Sequence, residues 1–328
     1  MGGQTDMAVT AQAGANIALI KYWGKRDRAL NLPTTGSLSI TLAALHTRTT
    51  VTHDDGLTED VLVLNGQVSE VSRVSACLDL LRIHSGDDRP LRVTSENNFP
   101  TAAGLASSAS AFAALVVAAD GLLGTEADRQ QCSAWARRGS GSAARSIFDG
   151  FVVWDKGERT DGQDSVARGL QSPDWWPLEV VIAVTEAAPK AVASTDGMLH
   201  TQATSPLYAA WVEDQAAALK AAEQAVMTRD FEALALVTEA STLGMHATAM
   251  AARPGLMYWQ PATLACIQAV RALRARGVGV FFTVDAGPQV KAICLPGDAQ
   301  VVADALAAVP GVTQVLRSGL GAGAQVVA

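Results

Sequence analysis

Residues 95–108 read Ser-Glu-Asn-Asn-Phe-Pro-Thr-Ala-Ala-Gly-Leu-Ala-Ser-Ser, and no other stretch constrains this chain as tightly. The Leu-Arg-Val-Thr lead-in at 91–94 predicts a strand, and the alanine-rich run 108–123 predicts a helix. Between them Pro100 and Gly104 interrupt regular structure, and small side chains let backbone amides approach a ligand closely. Ser107 and Ser108 fall where the helix begins. Unpaired amides and the positive end of the helix dipole make that place receptive to phosphate. It is not the common P-loop, because no Gly-Lys-Ser/Thr follows the last glycine. Taken alone, a tight strand-to-helix turn with a serine N-cap has the same pattern.

At 328 residues the chain is expected to form two domains of roughly 150 residues each, and 49% hydrophobic residues are ample for their cores. The net charge of −7 and the absence of a long Lys/Arg run argue against nucleic acid or an anionic membrane as partner. A negative chain that binds phosphates must gather its few cations locally, so the placement of each lysine is informative. Cys77, Cys132, Cys266 and Cys294 lack Cys-x-x-Cys spacing, and the five histidines lack ligand-like pairing. Buried free thiols are expected rather than a zinc site. The first residues carry no signal-like segment, and no apolar stretch reaches the ~20 residues that span a bilayer. A soluble, reducing, cytoplasmic setting is the expectation.

The first half reads as strands with interleaved helices: strands at 47–52, 61–64, 151–154 and 178–184, a helix at 71–82, and an Asn65-Gly66 turn. Pro173 and Pro177, with two tryptophans between them, read as a junction, and the division falls at 1–178 and 179–328. The second half is helical over about 207–250, where Gly244 is the main breaker. Helices at 264–276 and 299–308 and strands at 278–284 and 291–295 follow. The tail from Gly319 is rich in glycine and alanine and carries little signal.

Three segments can carry chemistry. Apolar residues run into Lys21-Tyr-Trp-Gly-Lys25, where two lysines and a phenol suit an anion with several oxygens, although for the lysine pair taken alone an amphipathic edge strand with solvated lysines is the commoner arrangement. In Arg137-Arg-Gly-Ser-Gly-Ser-Ala-Ala-Arg145, Gly139 and Gly141 leave the backbone exposed, Ser140 and Ser142 offer donors, and Arg145 can grip a carboxylate; a flexible solvated loop is the alternative. Asp285, in Phe281-Phe-Thr-Val-Asp-Ala-Gly-Pro288, ends a hydrophobic strand before a Gly-Pro turn. Held there and partly desolvated, it could act as a general base, or simply cap the turn. His246 and the Ser194-Thr195 pair are weaker, a packed histidine and a turn.

Together these segments resemble the diphosphomevalonate decarboxylases of the galactokinase, homoserine kinase, mevalonate kinase and phosphomevalonate kinase (GHMP) superfamily. The resemblance spans nearly the whole chain. It rests on residues 15–27, 31–42, 95–109, 138–154, 192–198 and 284–288, in the family's order and spacing. It implies an α+β fold, with a ribosomal-protein-S5-like N-terminal domain, a ferredoxin-like C-terminal domain and the active site in the cleft between them. It also implies ATP-dependent conversion of mevalonate 5-diphosphate into isopentenyl diphosphate and carbon dioxide, with Mg²⁺ and as a homodimer.

By position, the resemblance makes Asp285, Arg145 and Lys21 catalytic. It assigns Tyr22, Trp23, Lys25, Ser140, Ser142 and Arg145 to the substrate, and Gly104, Leu105, Ala106, Ser107, Ser108, Lys190 and Ser194 to ATP. The Mg²⁺ ligands are not assigned. Gly14 stands where the family usually has proline, Thr35-Gly36 replaces a more polar pair, and Thr195 stands where some bacterial members carry a basic residue. The ending Arg317-Ser-Gly-Leu-Gly matches only loosely. Rival readings are a mevalonate 5-phosphate decarboxylase, a mevalonate 3-kinase, and a non-catalytic sensor of nucleotide or isoprenoid phosphates. Loss of Asp285 or Arg145 would favour the kinase, erosion of the acid, the arginine or the serine loop would favour the sensor, and all are present; Lys25 and Tyr22 favour a diphosphate over a monophosphate.

Overall fold

A computed structural model describes residues 7–99, 107–185 and 192–328. In chain order the elements are β1 (Ala8–Ile20), β2 (Lys25–Asp27), β3 (Leu32–Pro33), β4 (Ser37–His53), β5 (Val61–Leu64), β6 (Gln67–Ser69), α1 (Ser72–Ser85), β7 (Leu91–Asn97), α2 (Ser107–Leu123), α3 (Arg129–Gly139), α4 (Ala143–Ser146), β8 (Phe151–Trp154), β9 (Ala167–Gln171) and β10 (Glu179–Thr185). They continue with α5 (Ser194–Thr204), α6 (Tyr208–Thr228), α7 (Phe231–Met250), α8 (Pro261–Ala275), β11 (Val280–Val284), β12 (Val290–Cys294), α9 (Ala299–Ala307), β13 (Val312–Gly319) and β14 (Gln325–Val327).

The strands form an eight-stranded and a four-stranded sheet besides the small β2–β3 ribbon. The larger sheet runs β14-β1-β4-β7-β5-β6, with β8 and β9 branching from the long bent β4. The smaller sheet has the order β11-β12-β10-β13, the ferredoxin-like arrangement of a split βαβ unit. The expected α+β, two-domain GHMP-kinase-like fold is present.

Local chemistry accounts for the element ends. Asn65 and Gly66, with φ of 48° and 79°, close the β5–β6 hairpin. On α1, Val74, Cys77, Leu78 and Leu81 make the buried stripe. The alanines of α2 are buried on most sides, which lets it lie close against β1 and β4. Gly244 does not break the helical stretch in the second half; it lies within α7, against Trp211. The break falls between α6 and α7, where Arg229 takes a left-handed φ of 53° and the Asp230 side chain caps α7 through the Ala233 amide at 3.0 Å.

The glycine-rich tail is the largest departure from the sequence pattern. Leu320 bridges to Leu42, and β14 then pairs with β1, so the chain ends in the sheet where it began. Gly321 allows this crossing, because a methyl group there would lie 2.5 Å from the Ala43 Cα.

Both sheets contribute to one apolar core, in which Ile17, Leu19 and Ile40 of the larger meet Ile182, Phe281 and Ile293 of the smaller. Residues at the C-terminal end of β1 and in the turn after β11 are thereby brought face to face.

Candidate active site

A cavity of about 710 Å³ opens at that junction. Among the described residues its walls carry six cationic side chains (Lys21, Lys25, Arg28, Arg73, Arg138 and Arg145) and one carboxylate, Asp285. In a chain of net charge −7 this is the local gathering of cations that an anionic ligand requires.

Asp285 follows β11, and its side chain is 26% exposed, toward the cavity. Its Oδ1 accepts from Lys21 Nζ at 2.6 Å, and its Oδ2 lies 3.1 Å from Lys291 Nζ. Burial alone would raise its pKa, but the two ammonium charges outweigh burial and hold the carboxyl well below the usual range. Lys21 also donates to the Ala18 carbonyl at 2.9 Å, and the Ser241 hydroxyl accepts its backbone N–H at 3.0 Å. Burial lowers the pKa of Lys21 to about 8, against the opposing pull of Asp285. The solvated edge-strand alternative does not hold for this lysine, which is 1% exposed just past the end of β1.

Arg145 is buried on α4. Its Nε and Nη2 donate to Asn16 Oδ1 at 3.2 and 3.0 Å, and its Nη1 donates to Ser37 Oγ at 2.7 Å. Of its five N–H donors, two are left for a ligand in the cavity. Asn16 is the organiser here, since its Nδ2 donates to the Ser142 carbonyl at 3.0 Å and to Ser146 Oγ at 2.8 Å.

The glycine-serine segment is not a flexible solvated loop with exposed backbone. Gly139 and Gly141 are buried against Phe112 and Tyr22, where side chains would collide. Ser140 Oγ meets Ser108 Oγ at 3.2 Å, which ties this segment to the N-terminus of α2, and Ser142 lines the cavity.

The Tyr22 hydroxyl is buried with no hydrogen-bond partner among the described residues, stands against Gly141, and has a pKa pushed up by burial. Trp23 is 1% exposed and forms cavity wall, packed edge-on to Tyr258 at 5.8 Å. Lys25 Nζ donates to Asn31 Oδ1 at 2.6 Å and to Thr195 Oγ1 at 3.3 Å, and burial lowers its pKa to about 8. Thr195 follows Ser194, the first residue of α5, so Lys25 reaches across to the segment that bears Ser194. Ser107 and Ser108 open α2 as expected and line the cavity. Gly104, Leu105, Ala106 and Lys190 lie outside the described residues.

A second, mostly apolar cavity of about 240 Å³ adjoins Ser107, Ser108 and Arg73, lined by Leu62, Leu64, Val93, Phe112 and Leu115 among others. His246 is buried, with Nε2 3.2 Å from the Val284 carbonyl and a pKa lowered to about 4 by burial, so it is a packed neutral residue.

Sequence reasoning missed Arg28, Asn31, Arg73 and Lys291. Asn31 opens the matching segment 31–42 but was given no role, and Lys291 carried a signal as a charge inside the apolar run Val290-Lys-Ala-Ile-Cys294.

A phosphate-receptive helix N-terminus beside a cationic cleft between these two sheets defines an ATP-using protein of the GHMP-kinase-like class. Residues 13–167 match the diphosphomevalonate decarboxylase-like N-terminal domain, and residues 180–318 match the mevalonate 5-diphosphate decarboxylase C-terminal domain. The diphosphomevalonate decarboxylase of Aspergillus fumigatus is 40% identical over 94% of this chain and 82% of its own. Mevalonate diphosphate decarboxylase from Staphylococcus aureus superposes with a TM-score of 0.93 at 36% identity, covering 99% of each chain. A structure described as MDDEF in complex with MVAPP, AMPPCP and magnesium superposes with a TM-score of 0.91 at 37% identity, covering 98% of this chain and 99% of that one. The chain belongs to the diphosphomevalonate decarboxylase family.

Proposed function

We propose that this protein converts mevalonate 5-diphosphate and ATP into isopentenyl diphosphate, carbon dioxide, ADP and phosphate, with the residues around Asp285 performing the chemistry. The observation that supports the residue roles is one cavity in which the described residues present a clamped carboxylate, Asp285, and a half-satisfied arginine, Arg145, among further cations.

The substrate's tertiary 3-hydroxyl is a poor leaving group, and phosphorylation corrects that. Its oxygen bonds to the γ-phosphorus as the bond to ADP breaks, and its proton passes to Asp285. A strongly suppressed pKa makes Asp285 a weak base, which suits a loose transition state where the proton leaves late. The C3–O bond then breaks and phosphate departs with its electron pair. The bond from C2 to the carboxyl carbon breaks too, its electrons form the C2=C3 double bond, and carbon dioxide leaves. Arg145 holds the carboxylate with its two spare donors. Lys21 offsets the negative charge gathered at the reacting centre. Lys25 and Tyr22 bind the diphosphate, Ser140 and Ser142 complete the substrate pocket, and Trp23 walls it.

Ser107 and Ser108, with Gly104, Leu105 and Ala106, take the ATP phosphates, and Lys190 and Ser194 close over them. The apolar 240 Å³ cavity beside Ser108 suits the base. No cluster of three or more His, Cys, Asp or Glu residues that could cage a metal occurs among the described residues. The fit for Mg²⁺ is instead the hard oxygens of Ser107 and Ser108 together with ATP phosphates. Bound there, the ion would neutralise phosphate charge.

The domain division we propose is 1–178 and 179–328, with β14 folding onto the first domain. Four buried free thiols fit a reducing, cytoplasmic setting, and a homodimer is the expected assembly, to be read by light scattering. No helix among the described residues is long and apolar enough to cross a membrane, and the acidic net charge gives no footing for nucleic acid.

The test is product analysis with ATP, Mg²⁺ and, separately, mevalonate, its 5-phosphate and its 5-diphosphate. Equal ADP and carbon dioxide from the diphosphate alone is the expected result. ADP without carbon dioxide, or preference for a shorter substrate, would move the chain to the kinase or monophosphate reading.

A further inference from the structure

Strand β12 carries a charge where packing asks for none. All five of its residues are buried between β10 and β11. Lys291 is in register with Ile182 and Thr283 and shares their face, and Phe281 and Ile293 on that face are core residues. Asp285 stands two residues past Thr283 and is therefore a diagonal neighbour of Lys291, within reach of a long side chain across the β11–β12 hairpin.

The Lys291 side chain is 1% exposed, and its Nζ lies 3.1 Å from Asp285 Oδ2. A buried ammonium is costly, and for packing alone an apolar side chain of similar volume serves as well or better. Lys291 is also not part of the cavity wall, unlike Lys21 and Asp285. Its direct contact with the site is the ion pair to Asp285.

We propose that Lys291 is a positioning residue for Asp285, holding Oδ2 while Lys21 holds Oδ1, so that the carboxylate stays ionised and presents a fixed pair of remaining lone-pair sites to the cavity. This rests on the reading of Asp285 as the group that meets the reacting hydroxyl. Among the described residues, the charged and titratable groups around that carboxylate are Lys21 just after β1, Lys291 from β12, Arg145 from α4 and His246 from α7, the last of them neutral. Removing Lys291 takes away one of the two ammonium groups that oppose the effect of burial on Asp285, so the Asp285 pKa rises. The same change relieves Lys21 of a neighbouring positive charge.

The experiment uses full-length enzyme with ATP, Mg²⁺ and mevalonate 5-diphosphate, and measures kcat, both KM values and the pH profile of kcat. For Lys291→Met the expected result is a kcat lowered at least about tenfold, KM values within about threefold, and an acid limb moved to higher pH. Lys291→Arg, which keeps the charge, should return the acid limb to its original place and recover most of kcat. In an Asp285→Asn background Lys291→Met should change nothing further. Should Lys291→Met fail to fold, Lys291→Gln keeps a donor to Oδ2 without the charge, and the same shift of the acid limb is required of it.

A wild-type kcat and acid limb in the variant, with Asp285→Asn inactive, would overturn the role of Lys291. So would a lowered melting temperature with an unmoved acid limb, which is what a purely structural lysine gives. Activity persisting in Asp285→Asn would instead overturn the reading of Asp285 itself, and the two failures are thus told apart.

Discussion

Asp285 sits where burial and charge work against each other, and its two lysines decide the outcome. If it receives the hydroxyl proton, Asp285→Asn should lower kcat at least about a thousandfold while ATP and substrate affinities stay within about tenfold. Isothermal titration beside single-turnover kinetics checks both halves, and retained turnover would remove Asp285 from the mechanism. Arg145→Ala should cost at least ~3 kcal/mol in kcat/KM, the scale of removing one charged donor from a reacting centre. Near-normal kcat/KM would remove it. The pH dependence follows from Lys21 and Lys25, each brought down to about 8 in the free protein. Because kcat/KM reports the free enzyme, it should fall as pH rises above about 8, where the needed charges are lost. In Lys25→Met the remaining limb should be shallower. For stability the sign is opposite. Unfolded lysine keeps its proton to near 10.5, so between about 8 and 10.5 the unfolded chain binds more protons, and the penalty these two groups impose on folding fades as pH rises. A profile flat to pH 10 would show that neither ammonium is required.

The elements that hold these residues differ in how far they can be read from the chain. Strand 61–64 and strand 151–154 match β5 and β8 because β-branched and apolar runs bounded by turn residues have few other solutions. The α6–α7 break was illegible, since Arg229 and Asp230 resemble any polar pair inside a helix, while Gly244 is tolerated because Trp211 packs against it. Gly139 was legible as special but not for its reason. Its missing side chain makes room for Phe112 rather than for solvent, and a methyl there would sit 2.0 Å from the ring. Gly139→Ala should therefore destabilise the fold by about 1–3 kcal/mol, as overpacking does, and weaken substrate binding through Ser140. Gly297→Ala, with no atom within 4 Å of the added methyl, should stay within about 0.5 kcal/mol. Chemical denaturation of the pair checks this, and equal midpoints would contradict the packing account.

At the scale of the whole molecule, the end of the chain closes the first sheet beside the site. Gly321 accepts from the Gly150 amide at 3.0 Å and donates to the Thr41 carbonyl at 2.8 Å, and Ala324 donates to the Ser146 carbonyl at 3.1 Å, one residue from Arg145. Removing residues 319–328 should cost at least about 3 kcal/mol, at roughly 1 kcal/mol for each of these hydrogen bonds besides the β14 pairing. It should also lower kcat by loosening α4. A truncated protein with unchanged melting temperature and activity would refute this coupling. The lysine and glycine-serine segments and the family were legible in the chain, because each of those signals is local and written in consecutive residues. What local pattern could not show is that Arg28 and Arg73 line the same cavity, that Lys291 clamps Asp285, and that the featureless tail joins the first sheet. Those facts depend on which distant segments share a face or an edge, and such pairing is set by the burial of the whole core rather than by any local pattern.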